Sequence, residues 1–124
     1  MKLDEESTLT IDLPWPPSVN HYWSMRSAGT RIIKFVGKKG KLFREDVIER
    51  TKDLLPHCDK YFNSKAHRLA VTVDIYPPDR RRRDIDNLSK ALLDALEHAS
   101  VYEDDTQIDY LVLKRCTKVE EGAV

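Results

Sequence analysis

Cysteine is scarce in this chain. Only Cys58 and Cys116 occur, they form no CxxC pair, and reduced thiols in a cytosolic protein are the simplest reading. The four histidines, at 21, 57, 67 and 98, share no zinc-site spacing with those cysteines, which argues against a structural zinc. Long apolar runs are missing too, so nothing reads as a transmembrane span. The acidic start, "MKLDEESTLTIDLP", lacks the continuous apolar core of a signal peptide. There is no repeat, no low-complexity tract and no linker, so the expectation is one domain over residues 1–124. Net charge is absent as well: 21 basic residues balance 21 acidic ones. A neutral total argues weakly against a nucleic-acid binder.

The distribution of charge argues the other way. Between Arg26 and Arg44 stand seven bases and no acid, and residues 80–83 are all arginine. The acids gather at Asp4, Glu5, Glu6 and Asp12, and again at Glu103, Asp104 and Asp105. A local basic surface holds phosphates even when the whole chain is neutral.

Periodicity supplies the elements. "STLTIDL" (7–13) alternates like a strand, and "PWPPSVNHYW" (14–23) cannot continue it. "TRIIKFV" (30–36) reads as a short strand or a loop. A helical pattern runs from Lys38 to Leu55, with Leu42, Val47, Ile48, Leu54 and Leu55 facing inward and Pro56 as its stop. Residues 57–67 read as a polar connection. "RLAVTVDIY" (68–76) is the clearest strand, and "QIDYLVLKRC" (107–116) is the last one. Between them Leu88, Ala91, Leu92, Ala95, Leu96 and Ala99 fall at helical spacing from Asp86 onward. The predicted class is α+β: a small single domain with a mixed β-sheet packed by two main helices.

"RRRRDIDNLSKALLDAL" (80–96) crowds four arginines against two aspartates. Asp86 is placed to cap the helix that follows. Extended geometry from Asp84 to Asp86 turns both carboxylates to one site. Lys90 lies four residues on, along the same helical face. Asp104 or Asp105, in "YEDDTQIDY", is positioned in sequence to complete a set of hard oxygen ligands of the kind magnesium takes. The plainer reading is capping acids beside a solvated arginine run, which any one of these pieces alone would favour.

Taken in order, "LPWPPSVNHYW", "PPDRRRRDIDNLSKALLDAL" and "EDDTQIDYLVLK" resemble the RusA family of Holliday junction resolvases. The resemblance covers most of the chain. It implies a homodimeric, magnesium-dependent endodeoxyribonuclease of bacteria and their phages, with manganese as an alternative ion. Such an enzyme acts in the cytoplasm, away from membranes, and resolves branched DNA by paired nicks in recombination and repair. The metal ligands would be Asp84, Asp86 and Asp105, with Asp104 in support. Lys90 matches an essential lysine. Arg83 matches a DNA-holding base, and Arg80, Arg81 and Arg82 would hold phosphates beside it. Family members continue with a further strand where this chain reads "KVEEGAV", so the resemblance implies a domain without that strand. The alternatives are a flap- or fork-directed nuclease and a DNA-binding protein of the same fold that does not cut.

Overall fold

The computed structural model describes residues 7–124. A single helical turn, α1 (Val19–Tyr22), leads into the hairpin β1 (Trp23–Ala28) and β2 (Arg31–Val36). Then come α2 (Lys38–Thr51), α3 (Leu55–Tyr61), β3 (Leu69–Ile75), α4 (Asp86–His98) and β4 (Ile108–Arg115). β3 and β4 pair in parallel, Leu69 with Ile108 and Ile75 with Arg115, so α4 is the crossover of a βαβ unit. The expected single mixed sheet is instead two separate two-stranded sheets, the antiparallel β1–β2 hairpin and the parallel β3–β4 pair. Isolated antiparallel bridges from Ala123 to Pro14 and Tyr76 lie outside both, and the α+β class holds.

The apolar stripe of α4 buries Leu88, Ala91, Leu92, Ala95 and Leu96 against Phe43 and Val47 of α2 and Val73 and Ile75 of β3. Spacing alone found that stripe. α2 follows a different pattern from the expected one. It buries Gly40, Phe43, Val47 and Thr51, whereas Leu42 and Ile48 are exposed. Gly40 explains the rotation of the helix. A Cβ there would lie 2.4 Å from the Tyr22 carbonyl oxygen, so the backbone of α1 occupies the space of a side chain. Pro56 does not stop the helical run either. It sits in the first turn of α3, where a missing N–H removes nothing, and the chain stays helical to Tyr61. The predicted strand at 7–13 is not a regular strand. Leu13 exchanges N–H···O contacts of 2.8 and 3.1 Å with Val124, and no strand is assigned over 7–13.

One side-chain network ties the helices together. The buried Tyr22 hydroxyl donates to the Asp94 carboxylate, and the Arg44 guanidinium donates to both, at 2.7 Å each. Burial first, and then the bond to Asp94, pushes the Tyr22 phenol above its usual range. Asp94→Ala strips the shared acceptor from two half-buried donors. It is expected to cost about 2 kcal/mol, and Tyr22→Phe about half that, read as lowered midpoints in thermal unfolding followed by circular dichroism.

Candidate active site

Residues 76–85 leave the C-terminal end of β3 and cross the top of the βαβ unit. Asp79 organises this segment. Its carboxylate accepts the Arg81 backbone N–H at 2.9 Å and the Arg83 guanidinium at 2.6 Å. These contacts, the Arg83 bond foremost, hold the Asp79 carboxyl down at about 2. A depressed carboxyl stabilises above its ordinary range and loses that effect as pH falls through the folded value. Arg83 therefore stays paired throughout the neutral range. It also lies 5.7 Å from the Trp15 ring, and its carbonyl accepts from Arg115.

The arginines thus do not spend themselves on Asp84 and Asp86. They line two clefts that share Trp15, Arg83 and Leu88. One, about 490 Å³, takes in Arg80, Arg81, Arg115 and Lys118. The other, about 650 Å³, takes in Arg82, Asp84, Asn87, Ser18 and His21. Asp84, Asp86 and Lys90 are all exposed, and their side chains have no hydrogen-bond or ion-pair partner among the described residues. Asp86 is the first residue of α4 rather than its cap. Ile85 takes the cap position, with no side-chain cap bond. Ile85 also has helical backbone angles (φ −67°, ψ −26°), so the expected strand-like alternation between Asp84 and Asp86 does not apply. Asp84 stands one residue before the cap and Asp86 opens the helix. Lys90 follows one turn later on the same face.

Asp105 lies elsewhere. Its backbone N–H donates at 2.8 Å to Glu97, in the last turn of α4. Glu97 is eleven residues beyond Asp86, about 16 Å along a helix. The sheet agrees: Asp105 precedes the start of β4, while Arg83 is bonded to Arg115 at the end of β4. The expectation that Asp104 or Asp105 completes the Asp84–Asp86 set as the chain turns back is therefore not met within one copy. Carboxylates of Asp104 and Asp105 instead gather with Glu97, their ligand atoms all within 4.8 Å of one another. Asp104 caps a short 3₁₀ turn through the Thr106 N–H at 2.9 Å. That bond holds its carboxyl below the usual range.

Two contributors escaped sequence reading. Glu97 anchors Asp105. Gln107, fully buried, donates to the carbonyls of Phe62 (2.7 Å) and His67 (3.0 Å) and accepts from the N–H groups of Glu103 and Asp104 (2.9 Å each). All four capacities of its amide are used, which fixes the acidic turn to the body of the domain. The Asp104-x-x-Gln107 spacing of a capping box is the local signal that marks it.

A cleft of partnered and free arginines beside two unpaired carboxylates at a helix start suits a protein that handles phosphates together with a hard cation. The family model described as Endodeoxyribonuclease RusA matches residues 14–123. A protein of Enterobacteria phage HK97 named crossover junction endodeoxyribonuclease rusA is 40% identical over 110 residues, covering 89% of this chain and 84% of the relative. The protein of that name from Escherichia coli K12 is 37% identical over 109 residues, covering 87% and 83%. The one from Enterobacteria phage 82 is likewise 37% identical over 109 residues, with the same coverage. The chain belongs to the RusA family. Among the described residues no helix is long and apolar enough to cross a membrane.

Proposed function

We propose that the chain is a divalent-metal-dependent endodeoxyribonuclease that resolves Holliday junctions by symmetric nicks, working in recombination and repair in the bacterial cytoplasm. One observation carries this reading: within a RusA-family chain, Asp84 stands exposed and unpaired in an arginine-lined cleft, with Asp86 exposed and unpaired at the helix start two residues on. Two free carboxylates are the donor set magnesium takes, with water and a substrate phosphate filling the rest, and manganese fits the same oxygens. Bound there, such an ion supplies an activated water and neutralises charge on the phosphate. The chain's own groups do the remaining work. Arg80, Arg81 and Arg82 grip backbone phosphates, Arg83 is held ready by Asp79, and Lys90 faces the charge that grows on the scissile group.

The separation of Asp105 from Asp84 and Asp86 favours a homodimer with shared sites. β4 pairs with β3 on one side and has no strand on its other edge among the described residues. Tyr110 and Leu111, both on β4, are exposed. Antiparallel pairing of two β4 strands about a two-fold axis would bring the start of one, next to Asp105, to the end of the other, next to Arg83. Each site would then hold Asp84 and Asp86 of one copy and Asp105 of its mate, and residues 1–124 would be one such endonuclease domain. Sedimentation is expected to give twice the 14.4 kDa chain mass.

The test is cleavage with magnesium on four-way junction, flap and duplex DNA of matched sequence. Paired cuts in the junction alone are expected. Preferred flap cleavage would identify a fork-directed nuclease, and junction binding without cutting would identify a non-cleaving relative.

A further inference from the structure

The β1–β2 hairpin has no core of its own. Its strands meet in a two-residue loop, Gly29-Thr30, with Gly29 at φ 64°, the geometry glycine tolerates best. Five of the six residues of β2 are exposed. Met25 and Ile32 keep 71% and 73% of their surface in solvent. Trp23 and Val36 anchor its base against the core, while the rest of the ribbon projects with no cover among the described residues. An uncovered two-stranded ribbon is marginal in water.

The register says by what. Directly paired residues share a face. Met25, Lys34 and Ile32 lie on one face, and Arg26, Ile33 and Phe35 on the other. Each face therefore mixes apolar side chains with a cation, and the ribbon carries no acid at all. Any occupant must cover the apolar side chains and pair those cations at the same time. DNA offers both things the faces need, flat apolar bases and phosphates. The ribbon also springs from the active-site rim, because His21 and Ser18 line the Asp84 cleft just before Trp23 begins β1.

We propose that the β1–β2 hairpin is a branch-reading wedge, with Met25 and Ile32 seated against unstacked bases at the centre of the junction and Arg26 and Lys34 on the flanking phosphates. The inference rests on the junction reading above. Aliphatic side chains serve as wedges between base steps in DNA-bending proteins. At a branch point stacking is already interrupted, so insertion is easier there than in a continuous duplex. The hairpin would thus supply selectivity, and the clefts affinity.

The experiment uses junctions carrying 2-aminopurine either at the branch or mid-arm, bound without divalent metal by the unaltered protein and by the double variant M25S/I32S. The unaltered protein is expected to raise fluorescence at the branch only. The variant should bind duplex normally, lose most of the branch signal, and lose junction preference by ~10-fold, the scale of one base-contacting side chain. Both positions are exposed, so its unfolding midpoint should not fall. A variant with unchanged branch signal and selectivity overturns the proposal. So does a variant that sediments as a monomer, since the hairpin would then be a seam between copies. If the unaltered protein itself shows no preference for junctions, the junction reading fails first and the wedge with it.

Discussion

Asp86→Asn and Asp105→Asn chains, each inactive alone, are expected to regain cutting when joined in one dimer. An amide keeps the carboxylate's volume but not its charge, so folding and DNA binding should survive while cleavage falls by ~10²-fold or more, the scale of losing one charge-stabilising group. The prediction follows from distance. Asp105 is bonded to the far end of α4, about 16 Å from Asp86 along the helix. Sites shared between copies behave distinctively under mixing. In a dimer of one chain of each kind, one site carries both substitutions and the other carries neither. Co-expression with two different tags, followed by purification through both, isolates that dimer. It should nick one strand of the junction and leave the partner strand whole. No recovery in the mixed dimer would sink the shared site, and near-normal cutting by Asp86→Asn alone would remove Asp86 from the chemistry.

Lys90→Ala is expected to slow cleavage of bound junction by ~10²-fold or more, by analogy with a lost oxyanion donor. Lys90 is exposed, unpaired and one helical turn beyond Asp86, so its charge is free to meet the reacting phosphate. Alanine suits a helix interior and should not unfold α4. Arg81→Ala and Arg82→Ala should behave differently. Both guanidinium groups lie along the clefts rather than at the helix start, so each loss weakens binding and lowers the salt dependence by about one unit of slope per phosphate released. Single-turnover cleavage at saturating protein separates the roles because it bypasses affinity. Normal rates for Lys90→Ala there, with failure of the arginine variants, would reverse the division between chemistry and grip.

Much of this molecule is legible in its sequence because the signals are local. Leu88 to Leu96 repeat at helical spacing, Leu69 to Ile75 alternate, and both patterns became the elements expected. The same is true of the charge census: an arginine run, two acids and a lysine one turn later can be read from spacing alone. Local patterns failed where a neighbour distant in sequence decided the outcome. Leu42 and Ile48 face solvent because Tyr22's backbone packs at Gly40 and rotates α2. Residues 7–13 alternate like a strand, yet they join no sheet ladder, and Leu13 bonds instead to Val124 near the end of the chain. Asp94 reads as an acid that pairs with a base, and it does pair with Arg44, but that this base comes from α2 and that Tyr22 shares the carboxylate is decided by tertiary packing.

The sequence by itself determined the kinds of groups available and their order: carboxylates, a lysine and arginines on a chain able to make a strand, a helix and a strand. Only the tertiary structure decided which of them meet. A crossover helix between parallel strands must carry the chain back the full length of the sheet before the second strand begins. Asp84 and Asp86, after β3, and Asp105, before β4, are therefore held at opposite ends of one rigid unit, a separation that residue spacing does not reveal.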